Sequence, residues 1–291
     1  MKRLSLTVTL VALLGAACAK GAGSLGLAPS GSSSPTSPSP GSTSPASPSP
    51  SPTRVVTPVP TVSARTIGLQ VWFVRSGKLF LTQRDVPATP AVGRAALLQL
   101  LPGPSDVERR AGVTSSVPSG TTLLGLEIRD GIAFVNFDTA FRRNGDITPI
   151  QVGQVVLTIG QFSTVDQVVI KVNGGEIYET PQTTDEYERF LPAISVQSPN
   201  IGATVSSPVT LSGSANVFEA TVSLRILDQN GHEIARGFTN ATCGTGCRGT
   251  YSKSLSYHVD HEQTGTVEVF ESSAKDGSPT NVVSIPVTLT A

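Results

Sequence analysis

Aromatic residues make up only 5% of this 291-residue chain, charged residues 14%, and there are one Trp, three His and three Cys. Lys and Arg number 21, as do Asp and Glu, so the formal net charge is zero. That balance removes the basic footprint of a nucleic-acid binder. The longest apolar run, Leu4 to Leu14, falls well short of the about 20 residues a membrane-crossing helix needs. With so few histidines, catalytic and metal-binding patterns are quickly exhausted. His232-Glu233 does not extend to H-E-x-x-H because Arg236 stands where the second histidine is required. His258-Val259-Asp260-His261-Glu262 offers a small polar cluster for a cation, yet its spacing matches no zinc pattern and it reads as a solvated loop. No G-x-S-x-G occurs. Ser272-Ser273-Ala274-Lys275 matches S-x-x-K, but S-D-N and K-T-G are missing and the tetrapeptide follows strand sequence instead of opening a helix. These readings predict no enzyme, no catalytic residue, no metal and no cofactor.

Gly, Ser, Thr, Val and Pro take the place of the missing residue types, which favours many short strands separated by turns. The N-terminus has the layout of an export signal: basic Lys2 and Arg3, the apolar run, then the small residues Gly15-Ala16-Ala17 before Cys18. Cys18 resembles a bacterial lipoprotein acceptor. That resemblance implies a mature chain that begins at Cys18, is acylated there, and lies on the extracytoplasmic face of a bacterial cell membrane. Ala17-Cys18-Ala19 also fits an A-x-A cleavage site, so plain secretion stays open. Residues 1–17 are thus the signal peptide, and 18–62 the acylated cysteine and a disordered Ser/Pro-rich linker. Repeats such as Ser47-Pro48-Ser49-Pro50 supply almost no apolar side chains to offset the entropy of ordering. Proline biases such a tether toward extended polyproline II.

Folded sequence begins near Ile67. Two strand-like runs flank Ser76-Gly77, which reads as a hairpin. Thr89 and Pro90 are placed to start a helix whose Val92, Ala96, Leu97, Leu100 and Leu101 share a face, with Pro102-Gly103-Pro104 ending it. A polar loop follows. A second hairpin turns at Asp130-Gly131, a second helix is predicted over about 149–162, and Val168 to Val172 returns as a strand. The result is an α+β unit, a mixed sheet with two helices packed on one face. The series Val71-Trp72-Phe73, Arg94-Ala95-Ala96-Leu97, Leu101-Pro102-Gly103-Pro104, Val117-Pro118-Ser119-Gly120-Thr121, Asp130 to Phe137 and Gln161 to Val165 resembles the GerMN domain of sporulation and germination proteins. The resemblance places that domain at 63–180 and implies an envelope protein, not an enzyme, that works by contacts in larger assemblies.

Residues 181–191, polar with Tyr187 and Phe190, read as an interdomain link. From 192 to 291, alternation in Thr221 to Leu227, in Thr266 to Phe270 and in Val282 to Leu289, with a turn at Asn230-Gly231, predicts an all-β sandwich. Ser198-Pro199-Asn200-Ile201-Gly202, Ser207-Pro208-Val209 and Gly213 to Ala220 are similar to the immunoglobulin-like domain that often follows GerMN. Cys243 and Cys247 remain as an even pair in an exported chain, so a disulfide is expected, closing a loop too small to hold the domain together. The combined expectation is a non-enzymatic envelope lipoprotein presenting two protein-interaction modules to extracytoplasmic protein partners. Its role would be in sporulation or germination, or in general envelope assembly. The alternative is a peptidoglycan or carbohydrate binder. Against it, the single Trp72 sits in a strand whose neighbours read as core.

Overall fold

The computed structural model describes residues 65–143 and 145–291. The export signal, Cys18 and the Ser/Pro-rich segment lie outside the described residues. Strands β1 (Thr66–Arg75) and β2 (Lys78–Pro87) form an unbroken antiparallel ladder from Thr66↔Pro87 to Arg75↔Lys78. Ser76 and Gly77 both take positive φ, 51° and 73°, as a two-residue turn matched to strand twist requires. Helix α1 (Val92–Leu100) turns Ala96, Leu97 and Leu100 inward. Its start differs from expectation: Ala91 is the N-cap, without a side-chain bond, and Thr89 Oγ1 accepts from the Ala91 N–H at 3.2 Å instead of capping the helix.

The stretch read as a polar loop holds a short helix, α2 (Asp106–Arg110), and strand β3 (Val113–Thr114). Ser105 starts α2 through a capping box: its Oγ accepts from the Glu108 N–H at 3.4 Å, and Glu108 Oε2 accepts from the Ser105 N–H at 2.7 Å. Strands β4 (Leu123–Arg129) and β5 (Ile132–Phe137) meet at Asp130-Gly131, again with positive φ at both residues. Helix α3 (Pro149–Ile159) has Pro149 in its first turn and Thr148 Oγ1 accepting from the Gln151 N–H. It ends three residues before Phe162. Strands β6 (Gln167–Val172) and β7 (Gly175–Glu176) complete the first domain's ladders.

These strands form two sheets, where one was expected. Order β4-β5-β6-β7 is mixed, with β5 and β6 parallel because α3 carries the chain back between them. The first hairpin stands apart as β2-β1-β3. Strand β3 covers β1 only at Val74 and Arg75, so the remaining edge needs other partners. Side chains from helix α3 and from the turn just beyond it supply them. Gln161 Oε1 accepts from the Gln70 N–H (2.9 Å) while its Nε2 donates to the Gln70 carbonyl (2.8 Å). Thr158 Oγ1 accepts from the Trp72 N–H (3.1 Å), and Gln154 Nε2 donates to the Trp72 carbonyl (3.0 Å). Buried backbone groups must be paired, and here a helix does the work of a neighbouring strand. Every residue of α3 from Gln151 to Ile159 is buried, so the helix is an interior element, not the one-faced helix the apolar spacing predicts.

Residues 181–191 pack on the first domain. Gln182 exchanges backbone hydrogen bonds of 2.8 Å with Val168, and a 3-10 helix over Thr184–Phe190 seats Tyr187 against α3. A Cβ at Gly153 would lie 2.7 Å from the Tyr187 ring, so only glycine permits this approach.

The second domain comprises β8 (Ile194–Ser198), β9 (Thr204–Val205), β10 (Val209–Ala215), β11 (Thr221–Leu227), β12 (Glu233–Asn240), β13 (Gly249–Leu255), β14 (Gln263–Ser272) and β15 (Pro279–Leu289). They build a sandwich of sheets β13-β10-β8 and β12-β11-β14-β15-β9. Val222, Leu224 and Ile226 of β11 alternate inward, as do Val267 and Val269 of β14, each fully buried. One apolar cluster runs through both domains. Across the seam the Gln83 N–H donates to Asn200 Oδ1 at 3.1 Å, Val107 lies against Gly202, and Arg248 both pairs with Glu188 at 2.8 Å and donates to the Pro192 carbonyl at 2.7 Å.

Candidate functional site

The residues that a catalytic reading would use are dispersed over the sandwich surface. His232 is exposed in the β11–β12 turn, 3.5 Å from Asp228. Desolvation raises the Asp228 pKa, but the His232 and Asn230 backbone N–H groups, with the His232 side chain, outweigh it and hold the carboxyl below its ordinary value. His258 and His261 are both exposed in the segment between β13 and β14, and His258 Nε2 lies 3.3 Å from Asp260 Oδ1. Among the described residues no group of three His, Cys, Asp or Glu side chains converges to hold a metal. Ser272 ends β14 with its Oγ 3.0 Å from Ser223 Oγ, and Ser273 Oγ accepts from the Lys275 N–H in the turn toward β15. Cys243 and Cys247 are joined, with Cα atoms 5.8 Å apart. Their loop is pinned to the 216–220 turn by Thr245 N–H to Val217 O (2.9 Å) and by Glu219 N–H to Thr245 Oγ1 (3.1 Å).

Surface relief concentrates elsewhere. In the first domain the loop after α1 (Leu101-Pro102-Gly103-Pro104) faces the loop leading into β4 (Ser115 to Leu123), and between them lie two adjoining hollows of about 390 and 320 Å³. Leu98, Leu101, Pro102 and Pro118 give this groove apolar walls, with Arg94 at one end. Leu98 is 45% exposed, although it sits one residue from the buried Leu97. The second wall is held by polar side chains from beneath. Gln154, which also bonds β1, accepts from the Ser116 N–H (2.7 Å) and donates to Ser115 Oγ (3.2 Å). Arg143 donates to the Ser119 carbonyl (2.6 Å) and Thr121 Oγ1 to that of Pro118 (2.7 Å). The first wall is held by α2. Glu108 is buried, and Arg84 meets it in a two-pronged contact of 2.7 and 2.6 Å. Burial raises the Glu108 pKa, but the Arg84 and Ser105 hydrogen bonds and the Arg84 charge outweigh it and hold the carboxyl below its ordinary range.

Comparison with known families identifies both folded domains. Residues 70–178 match the model described as sporulation and spore germination, and residues 193–278 match the immunoglobulin-like domain of bacterial spore germination. Residues 70–178 thus form a GerMN domain, and residues 193–278 the immunoglobulin-like domain that follows it. Among solved structures, the tandem GerMN domains of the sporulation protein GerM from Bacillus subtilis align at 18% identity and a TM-score of 0.36, covering 66% of this chain and 62% of that one. The first GerMN domain of the same protein aligns at 22% identity and a TM-score of 0.32, covering 43% of this chain and 99% of that one. A search of curated proteins returned no match.

Within the GerMN domain, segments quoted for the resemblance now meet in space: Arg94, Leu101, Pro102, Gly120 and Thr121 line a single hollow. The polar side chains of α3 and the turn after it, which bond β1 and, through Gln154, one wall of the groove, escaped the sequence reading. Gln154, Thr158 and Gln161 recur at i, i+4 and i+7, a helix-face spacing as regular as the apolar one. Trp72 is buried at 8% exposure, its backbone bonded to α3. Among the described residues no helix is long and apolar enough to cross a membrane.

Proposed function

We propose that this chain is a non-enzymatic lipoprotein of sporulation or germination type. Acyl chains on Cys18 hold it at the extracytoplasmic face of the membrane, and the GerMN and immunoglobulin-like domains serve as contact modules for envelope proteins. The supporting observation is the groove of the GerMN domain. Its walls are built from the segments that characterise the domain, it is lined by exposed Leu98 and by Pro102 and Pro118, and buried polar bonds brace it. Apolar relief held in place this way presents area to a protein partner at little entropic cost. Two acyl chains contribute about 0.8 kcal/mol per buried methylene, enough to retain the protein at a membrane without a span.

A photocrosslinking amino acid at Leu98, introduced in cells, is expected to give discrete adducts with an envelope protein, and a control site on the exposed β12 surface of the other domain, Phe238, is expected to give none. Retention of the chain on insoluble cell wall with no Leu98 adduct would replace this reading with polymer binding. Burial of Trp72 removes the one indole ring from sugar stacking. Intact mass of the membrane-extracted protein reads acylation directly, and an unmodified thiol at Cys18 would move the protein to the secreted class.

A further inference from the structure

We propose that the seam between the two domains binds an extended peptide bearing a carboxylate, the peptide lying along the open edge of β15 and its carboxylate between Arg75 and Lys78. This deepens the protein-contact reading and rests on it. The site is a pocket of about 210 Å³ whose lining includes Arg75, Lys78, Phe80, Pro192, Val282 and Ser284. Arg75 and Lys78 are direct cross-strand partners at the tip of the first hairpin. Like charges placed so are mutually unfavourable unless an anion lies between them. Among the described residues neither is in an ion pair, and no acidic side chain lines the pocket.

Each cation instead donates to a neutral carbonyl, Arg75 Nη1 to Ser284 (2.8 Å) and Lys78 Nζ to Arg189 (3.0 Å). A guanidinium has five N–H donors and an ammonium three, so most remain for a ligand. Partial burial lowers the Arg75 pKa, and an incoming carboxylate relieves that penalty. Arg75 stacks over the Phe80 ring at 5.3 Å, which holds its fork in place.

The adjoining edge suits a peptide backbone. Strand β9 pairs with β15 only at Thr288 and Leu289, so Thr280 to Ser284 have no strand on that side. Pro279 to Val282 are exposed, and Val282 together with Phe80 and Pro192 offers an apolar wall to the residue beside the carboxylate. Strand addition with terminal carboxylate capture combines two known modes of peptide recognition.

The test is fluorescence polarisation on the full chain with a labelled apolar hexapeptide ending in a free carboxylate. Its C-terminal amide and an amidated version with an internal Glu serve as comparisons. The free acid is expected to bind about tenfold more tightly than the plain amide, the size of one charge-assisted hydrogen bond. Higher salt is expected to weaken it. Lys78→Gln changes an exposed side chain and leaves folding intact, yet is expected to weaken the free acid about tenfold. Tight binding of the Glu peptide assigns the carboxylate to an acidic side chain, and its failure beside a binding free acid assigns it to a chain terminus; both support the site. Equal affinity for acid and amide, no effect of Lys78→Gln, or full displacement by inorganic phosphate overturns it. If peptide binding fails while Leu98 crosslinks persist, only the seam site falls; if both fail, the protein-contact reading falls with it.

Discussion

The GerMN and immunoglobulin-like domains solve the same problem, finishing sheet edges and filling a core, with different chemistry. The GerMN domain buries Thr82, Glu108, Thr121, Gln151, Gln154 and Thr158, whereas the sandwich buries Ser195 and Ser223 and the hydroxyls of Tyr251 and Tyr257, which donate to backbone carbonyls. In the first domain a helix and the turn that follows it complete strand β1 through side chains that lie 82 to 91 residues away in sequence. In the second, backbone ladders between strands do this, and the interior is mostly Val, Leu and Ile with Phe270, Tyr251 and Tyr257. Both domains bury an extensive apolar core, and the first adds to it several buried polar side chains, each with a specific partner. Removing one partner of a buried polar pair strands the other, while trimming one of many apolar contacts has a bounded cost.

The sharpest challenge to this contrast is Glu108→Ala, which leaves the Arg84 guanidinium without its partner and is expected to cost about 4 kcal/mol in urea unfolding. Because the folded chain holds the Glu108 carboxyl below its ordinary value, its contribution is complete above the ordinary pKa of about 4.3 and is lost as pH falls through the folded value. Glu108→Gln should accordingly flatten the acid side of the stability profile; a profile unchanged from the parent would show that the pair carries no such weight. Next, Gln154→Leu strands the Trp72 carbonyl and the Ser116 N–H, with an expected loss of about 3 kcal/mol. Faster hydrogen exchange at Ser116 would accompany it, and an unaltered rate would break the link between groove and helix. Replacing both Cys243 and Cys247 with Ala should cost about 2 kcal/mol, with exchange increased around 243–250 and not across the sandwich. At the small end, Phe238→Ser, at a side chain 66% exposed, should move the melting midpoint by no more than about 0.5 kcal/mol allows. A large loss there would show that the sandwich surface carries stability assigned here to its core.

Much of the element list was legible. Ser76-Gly77 and Asp130-Gly131 mark their hairpins because few dipeptides accept positive φ at both positions. Helix α2 escaped notice although Ser105-x-x-Glu108 spells a capping box, because five residues carry no apolar period to draw the eye. The groove was half legible: its two Pro-containing loops were singled out as segments, but their facing one another depends on α2 and α3 bracing them from below. Arg75 and Lys78 were visible only as the flanks of a turn.

From the order of residues alone came the export signal and tether as expectations, the two-domain division, and the alternation of strands, all of which rest on short-range periodicity and local backbone preference. Tertiary structure alone decided that the first hairpin forms its own sheet, that α3 is buried on every side, and that two cations at a turn face the edge of the second domain. Those outcomes depend on which distant group satisfies a given backbone edge or charge, and no local pattern records that choice.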